Sequence, residues 1–565
     1  MQRKKKLQIG LSNFRQFIDE NGYFVDKTLF VKELMDSGYH VLLMPRPRRF
    51  GKSLNLSMLK YYFDYQEKDT QALFEPFKIW QEDEFYKKEQ GGRPVIHFSL
   101  KSGKATNFED SKAAIYLTIA NIYSEFSWLL EEDILNKDEV EKFNQILHGE
   151  ATPSLYETGI KQLTRYLYRH SGKKTLVLLD EYDAAIHAGF YYDFYDEIIA
   201  LMKSILGSTF KDNDALYKGV ITGILRVAKE SIFSDMNNPG IFTVLSSAFD
   251  DIFGFTEEEV KAMLNYFGYG ADFSDVKSWY DGYKFGNTED IYNPWSIINF
   301  IALYDDGFRS YWGNTSSDDI IKSSIVKKEN EDIRAHLEAL MKGQTITKQI
   351  DQNIVFGDFY QNKEIIWSLL LFSGYLTPTQ ALGFDTYKLR IPNYEIKILF
   401  RKIILGWFNK DLNVYQSTLF KMTRALTEKR FHEFEEAFKK IMGDTFSYFD
   451  THTEPERVFQ AYVLGLLGML SDDYIIRSNR ESGKGRYDIL LLPKDKSRYG
   501  IIMELKQIQK KAATEAQIET ALAAALAQIQ NNQYYSELLA QDIAERLEIA
   551  VVFVGKEAYL EHQFS

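Results

Sequence analysis

Three side chains at close spacing set the first chemical question. Asp488 closes the stretch GKGRYD, Glu504 and Lys506 close the stretch GIIMELK, and Asp488 lies sixteen positions before Glu504. Asp488 leads into the apolar run 489–492, residues 493–499 form a polar turn, and 500–503 resume the apolar pattern. That order predicts two adjacent strands joined as a hairpin. Strand side chains alternate, so Glu504 and Lys506 share one face while Met503 and Leu505 share the other. Asp488 and Glu504 then meet at one strand end with Lys506 beside them. Both carboxylates and the carbonyl of Leu505 are hard oxygen ligands suited to Mg2+ or Mn2+. Such an ion polarises a phosphodiester and acidifies a bound water. Lys506 would position that water or meet the charge that builds on the phosphoryl group. The same Glu-x-Lys spacing also fits an exposed ion pair worth ~0–1 kcal/mol.

A second set points to a nucleotide. HVLLM (40–44) reads as a strand, Gly51-Lys52-Ser53 ends the following loop, and a helical pattern begins at residue 53. Strand, GKS loop and helix form the context of a phosphate-binding loop, and a helix N-terminus favours an anion. Gly51, Lys52 and Ser53 would hold ATP, with Lys52 on the β/γ-phosphates and Ser53 on Mg2+. Arg46 stands where the general pattern has a glycine, and Pro45 and Pro47 stiffen the loop, so the motif alone also fits a basic turn. The strand TLVLLD (175–180) ends in Asp180-Glu181. Asp180 would join the Mg2+ shell and Glu181 would orient or deprotonate water. Thr222, in the Thr222-Gly223 pair that ends the strand of the run 217–224, would sense the γ-phosphate. Arg226 fits a charge-stabilising role or a structural one.

Amphipathic segments at 53–63, 108–130 and 155–170 separate the apolar runs 40–44, 94–100, 175–180 and 217–224. Alternation of this kind predicts an α/β parallel sheet with helical crossovers. Thr256-Glu257-Glu258-Glu259 is a capping box that opens a helix. Residues 257–450 read mostly helical, with aromatic-rich loops such as WYDGYKFG (279–286). From about 455 the order is helix, strand, strand, helix. Three parts are therefore expected, 1–255, 256–450 and 451–565. In the alanine-rich helix 512–531, Ile518, Leu522, Leu526 and Ile529 form one apolar face. Gln528 borders that face, and Tyr534 beyond it is a candidate stacking residue.

The 565 residues exceed one core, so two to four domains are expected. With no cysteine, disulfides, thiolate zinc sites and cysteine nucleophiles are excluded. No apolar segment follows the basic residues 3–6, and the apolar run 458–470 is shorter than the ~20 residues that span a bilayer. The expectation is a cytoplasmic protein with no membrane partner. The net charge of −12 does not favour nucleic acid. Its distribution does, since residues 477–511 hold ten Lys/Arg against four acids, a local balance of +6. The nine histidines show no H-x-x-x-H pair, and His170 and His187 read as structural.

RPRRFGKSL, VLLDEYD, VITGI, SIFSDMNN, WYDGYKFG, YNPWSI and YWGNTSS, with the opening IGLSNFRQFIDENGYFVDKT, resemble the bacterial AAA-ATPase-like family that carries a C-terminal PD-(D/E)xK nuclease-like domain. In that family Arg46 belongs to the usual loop. The resemblance implies a P-loop, AAA-like parallel-sheet domain, a helical middle region and a restriction-endonuclease-like α/β domain. It also implies that Gln528 orients the lysine and substrate, that Glu456 is an additional acid, and that Tyr487 replaces the motif's proline. The expected function is an ATPase coupled to a metal-dependent nuclease acting on nucleic acid, foremost DNA, with ATP and Mg2+ or Mn2+ as cofactors and an oligomer left open. The alternative is an ATP-gated switch whose C-terminal domain binds nucleic acid or a partner without cutting.

Overall fold

The computed structural model describes residues 4–226, 239–270, 273–314, 331–341, 343–352, 364–400, 412–446, 463, 466–467, 470, 473–478, 481–482, 485–508, 513–555 and 557–565. The chain divides into two compact units, 1–398 and 399–565. The sequence-based boundaries at 255 and 450 both fall inside a unit. Among the described residues no helix is long and apolar enough to cross a membrane.

The first unit is built on five parallel strands, β1 (Val41–Pro45), β2 (Val95–Ser99), β3 (Thr175–Asp180), β4 (Leu216–Gly223) and β5 (Gly240–Ile241), in the order β2-β3-β4-β1-β5. Every residue of β1 and β3 is buried, as continuous apolar runs must be when helices cover both faces of a parallel sheet. The helices Lys52–Phe63, Phe108–Glu125, Pro153–Ser171 and Tyr195–Phe210 supply the crossovers. Register places Pro45 beside Gly223 and Leu179 beside Ile221. The carboxyl ends of β1, β4 and β3 therefore line up, with β4 between the other two.

The Thr256 capping box forms as expected and opens the helix Glu257–Phe267. The region that follows is helical but also carries two small antiparallel sheets. The segment WYDGYKFG is the end of a helix, Phe273–Tyr280, running into the hairpin β6 (Tyr283–Phe285) and β7 (Thr288–Ile291). Strands β8 (Ile346–Gln349), β9 (Thr377–Gly383) and β10 (Thr386–Arg390) form a second sheet in the order β8-β10-β9.

In the second unit, the short pair β12 (Glu481–Ser482) and β13 (Gly485–Arg486) follows β11 (Tyr474–Ser478). Strands β14 (Ile489–Pro493), β15 (Gly500–Ile508), β16 (Arg546–Val554) and β17 (Glu557–Phe564) complete a sheet of order β11-β14-β15-β16-β17. Only β15 and β16 run parallel. Ile501, Met503 and Leu505 pack with the helices Leu412–Thr427 and Phe431–Phe446. Ile502, Ala550 and Val552 line the opposite face, toward the helix Glu515–Asn531. That helix buries Ile518, Leu522 and Ile529 of the expected face, with Leu526 partly buried and Ala525 buried beside them.

The Glu548 carboxylate of β16 is fully buried. It accepts from Arg546 Nε at 2.7 Å, from Gln563 Nε2 of β17 at 2.6 Å and from Gln530 of the helix. Glu548→Ala leaves a guanidinium and two amides without an acceptor. It is expected to cost about 3–5 kcal/mol, seen as a lower urea midpoint for the second unit, with Glu548→Gln in between.

Candidate functional site

Arg46 fixes the path of the loop between β1 and the helix Lys52–Phe63. Its side chain is fully buried. Nη1 donates to the carbonyls of Pro45 (3.0 Å) and Phe242 (2.5 Å), and Nη2 to that of Phe249 (2.9 Å). The guanidinium lies over the rings of Phe253 and Phe285. Burial pushes its pKa down to about 9, which leaves it charged at neutral pH. The residue in the glycine position therefore points inward as a tie between backbone segments and does not face the loop's mouth.

Aromatic motifs from the middle region grip the rest of the loop. Phe50 packs against Tyr283 and Phe285 with ring centroids 5.1 and 5.2 Å away. The Arg48 carbonyl accepts from Trp312 Nε1 (3.1 Å) and Asn293 Nδ2 (3.3 Å). The Arg49 guanidinium lies 4.1 Å over the Trp295 ring. Pro47 abuts Gly374 so closely that a Cβ there would come within 2.9 Å, and Gly374 also has φ +88°. The Tyr283 hydroxyl donates to the Gly374 carbonyl at 3.0 Å. The segments WYDGYKFG, YNPWSI and the start of YWGNTSS thus form the bed of the loop that ends in Gly51-Lys52-Ser53. Sequence reasoning left them unassigned because their partner lies more than 230 residues away.

Gly51 takes φ +83° and begins the helix Lys52–Phe63, whose N-terminus no side chain caps. The Lys52 ammonium is buried and donates to the carbonyls of Arg46 and Pro47, each at 2.9 Å. Burial pushes its pKa down, opposed by Asp180, Asp183 and Glu181. Ser53 Oγ donates to Asp180 Oδ2 at 2.5 Å and Thr222 Oγ1 to Asp180 Oδ1 at 2.5 Å. The hydroxyl, the acid and the threonine chosen from sequence therefore converge at the aligned ends of three elements. Glu181 follows at φ +50°, a strained backbone for this residue type. Burial and then the Asp180 charge push its pKa up. These groups suit a phosphate chain and its cation: an ammonium, an uncapped helix end, and a hydroxyl paired with a carboxylate.

Asp183 was missed, although it stands in the same DEYD motif. It is buried and accepts from the amides of Ile224 (2.8 Å) and Leu225 (3.0 Å), and its Oδ2 pairs with His187 Nε2 at 3.3 Å. Burial alone would raise this carboxyl, but His187 and the two amides outweigh it and hold its pKa below the usual range. Asp183 anchors the chain just after Thr222. Arg226 lies half-buried beyond that anchor, and SIFSDMNN lies outside the described residues.

In the second unit, Ile489 pairs with Met503, so Asp488 and Glu504 are the next positions in register. Asp488 Oδ2 accepts from the Leu505 amide at 2.8 Å, and Lys506 Nζ donates to Glu504 Oε1 at 2.9 Å. The Glu504 side chain is 2% exposed and that of Lys506 31%. Burial and then the Asp488 charge push the Glu504 pKa up to about 7, and burial also raises Asp488. Glu504 Oε2 is buried without a hydrogen-bond partner among the described residues. Two close carboxylates, one with an unmet oxygen, fit a hard divalent ion.

Gln528 donates to the Tyr534 hydroxyl at 3.1 Å. Tyr534 is 2% exposed and sits in an apolar cluster with Tyr487, Leu490 and Ile502. It holds the amide and presents no stacking surface, which corrects the expectation for it. Tyr487 is buried too and donates to Glu537 at 2.9 Å. Glu456 lies outside the described residues. Several cations of the basic segment are already paired: Arg477 with Glu537, Lys496 with Asp542 and Arg498 with Asp473. The local count of +6 missed these acids because they come from outside the segment.

Residues 8–233 match the family model of a predicted AAA-ATPase, and residues 454–563 that of the PD-(D/E)XK nuclease superfamily. The chain is also similar to an uncharacterized protein in the vnfD 5' region of Azotobacter chroococcum mcd 1. The two are 28% identical over 424 residues, which cover 74% of this chain and 73% of that one.

Arg46→Gly restores the general loop pattern, yet it strands three carbonyls and empties a buried volume. It is expected to destabilise the first unit by more than about 3 kcal/mol, measured as a lower thermal midpoint. At Glu504 the raised pKa has two consequences. Without metal, this carboxyl's contribution to stability is fully present below its ordinary pKa near 4.5 and is lost as pH rises through about 7. Because a metal must displace the proton, Mn2+ affinity should rise about tenfold per pH unit toward pH 7 and then level off. Calorimetry from pH 5.5 to 8 checks this, with Glu504→Gln abolishing the rise.

Proposed function

We propose that this chain, which joins an AAA-ATPase-like module to a PD-(D/E)XK nuclease-superfamily module, binds and hydrolyses ATP and cuts DNA with the help of Mg2+ or Mn2+. The observation that carries the reading is Glu504, a buried carboxylate with one oxygen on Lys506 and the other unmet, beside Asp488. A divalent ion bound there would polarise the scissile phosphate and acidify its water. Asp488 and Glu504 would hold it. Lys506, whose side chain reaches the surface, would leave Glu504 to meet charge on the phosphoryl oxygens. Gln528 would act by fixing Tyr534 in the wall behind the site.

In the first unit, Lys52 would exchange the Arg46 and Pro47 carbonyls for β/γ-phosphate oxygens. Ser53 and Asp180 would hold the Mg2+ of ATP, Glu181 would orient the attacking water, and Thr222 would report the γ-phosphate through Asp180. The aromatic bed under the loop supplies a route from nucleotide state to the middle region, since moving Arg48 or Phe50 disturbs Trp312, Asn293 and the β6–β7 hairpin.

Lys52→Ala should lose ATP binding in calorimetry, and Glu181→Gln should bind ATP but turn it over at least tenfold more slowly. Linear and circular DNA, with RNA as comparison, should be cut only with Mg2+ or Mn2+. Glu504→Ala and Lys506→Ala should each reduce cutting by at least a hundredfold while retaining DNA binding. Intact substrates combined with salt-sensitive binding would instead favour the non-cutting switch.

A further inference from the structure

An acid cluster that neither site uses lies where the hairpin β6–β7 meets the helices Glu257–Phe267 and Phe273–Tyr280. Carboxylate oxygens of Glu257, Asp281 and Asp290 all lie within 4.8 Å of one another. Lys277 borders them, paired with Glu257, with Asp290 at 2.9 Å and with Asp281 Oδ2 at 3.6 Å. Lys261 takes the outer side of Glu257 at 2.5 Å. The cluster has an inner and an outer part. The Lys277 side chain is 40% exposed and that of Asp281 only 9%.

Two buried oxygens have no hydrogen-bond partner among the described residues, Asp281 Oδ1 in the cluster and the Tyr292 hydroxyl. Tyr292 is fully buried. After burial itself, the charges of Asp281, Glu257 and Asp290 push its hydroxyl pKa up, which places it within their field. Lys277 answers the outer oxygens and leaves the inner ones unmet. A small cation seated deeper would meet both kinds with oxygen ligands alone.

We propose that Glu257, Asp281 and Asp290 bind a divalent cation of Ca2+ type, with the Tyr292 oxygen at its edge and Lys277 swinging out to solvent as the ion enters. Three carboxylates, one opening a helix, one just after a helix and one on the hairpin, give the oxygen ligands and the ligand charge that Ca2+ favours. The ion would fasten the hairpin whose Tyr283 and Phe285 hold Phe50 of the phosphate loop. The site would be structural or regulatory and separate from both phosphate-handling sites.

The test uses the full chain carrying Asp180→Asn and Glu504→Gln, so that the other two acid sites are disabled. Tb3+ serves as the probe, because nearby tyrosine and tryptophan sensitise its emission. A saturable emission that Ca2+ displaces is expected. Asp281→Asn should weaken Tb3+ binding at least tenfold, and Lys277→Met should leave it equal or tighter. Thermal unfolding gives a second readout that does not depend on the Asp281→Asn variant folding. Ca2+ should raise the midpoint of the chain with Asp281 intact, and it should restore the midpoint that Lys277→Met lowers. Emission unchanged by Asp281→Asn, or a midpoint indifferent to Ca2+ in both chains, would overturn the proposal and leave a lysine-neutralised acid cluster.

Discussion

A charge removed from water must be met by dipoles or by opposite charge, or the fold loses the free energy of its hydration. Four buried ionic groups organise the two units of this chain under that rule. Arg46 is met by three carbonyls and two aromatic faces. Lys52 is met by two carbonyls of its own loop. Asp180 is met by the hydroxyls of Ser53 and Thr222 and by the Glu181 amide. Glu504 is met on one oxygen only. The first sets the path of a loop, the next two hold its side chains together, and the last keeps one oxygen without a hydrogen-bond partner among the described residues.

The first of these explains why so much aromatic surface surrounds the loop 45–51. A glycine at position 46 would let the loop follow its own backbone preferences. A buried guanidinium instead ties the loop to the segment 242–249, and Phe50, Arg48 and Arg49 then each need a partner. Tyr283, Phe285, Asn293, Trp295 and Trp312 supply them. Glu395 in turn holds Trp312, accepting from its amide at 2.8 Å and from the Tyr311 amide at 2.6 Å. Residues 256–398 therefore share one compact unit with the sheet, even though their composition reads as a separate helical segment.

Local periodicity made much of this legible. The four apolar runs became β1 to β4 within a residue or two, and the capping box at Thr256 closed as its spacing requires. The alternation in GIIMELK placed Met503 and Leu505 in one core and turned Glu504 and Lys506 the other way. What periodicity could not show was long-range pairing. Nothing near Trp312 or Asn293 announces that their partner is the carbonyl of Arg48, and nothing near Arg477 or Arg498 announces Glu537 or Asp473. Tyr534 failed for a related reason: an aromatic residue after a helix is as easily drawn into the core as left on the surface, and here Leu490 and Ile502 draw it in.

Whether Asp488 and Glu504 hold a metal ion is the point on which the nuclease reading turns. Diffraction from crystals of the full chain grown with Mn2+ would decide it through the anomalous signal at the manganese edge. If they do, a manganese peak is expected about 2.1–2.3 Å from a carboxylate oxygen of each acid, with Glu504 Oε2 among its ligands and the Lys506 ammonium moved off Glu504. A map with no peak there at millimolar Mn2+, and with Lys506 still bound to Glu504, would contradict it and reduce the cluster to a buried ion pair.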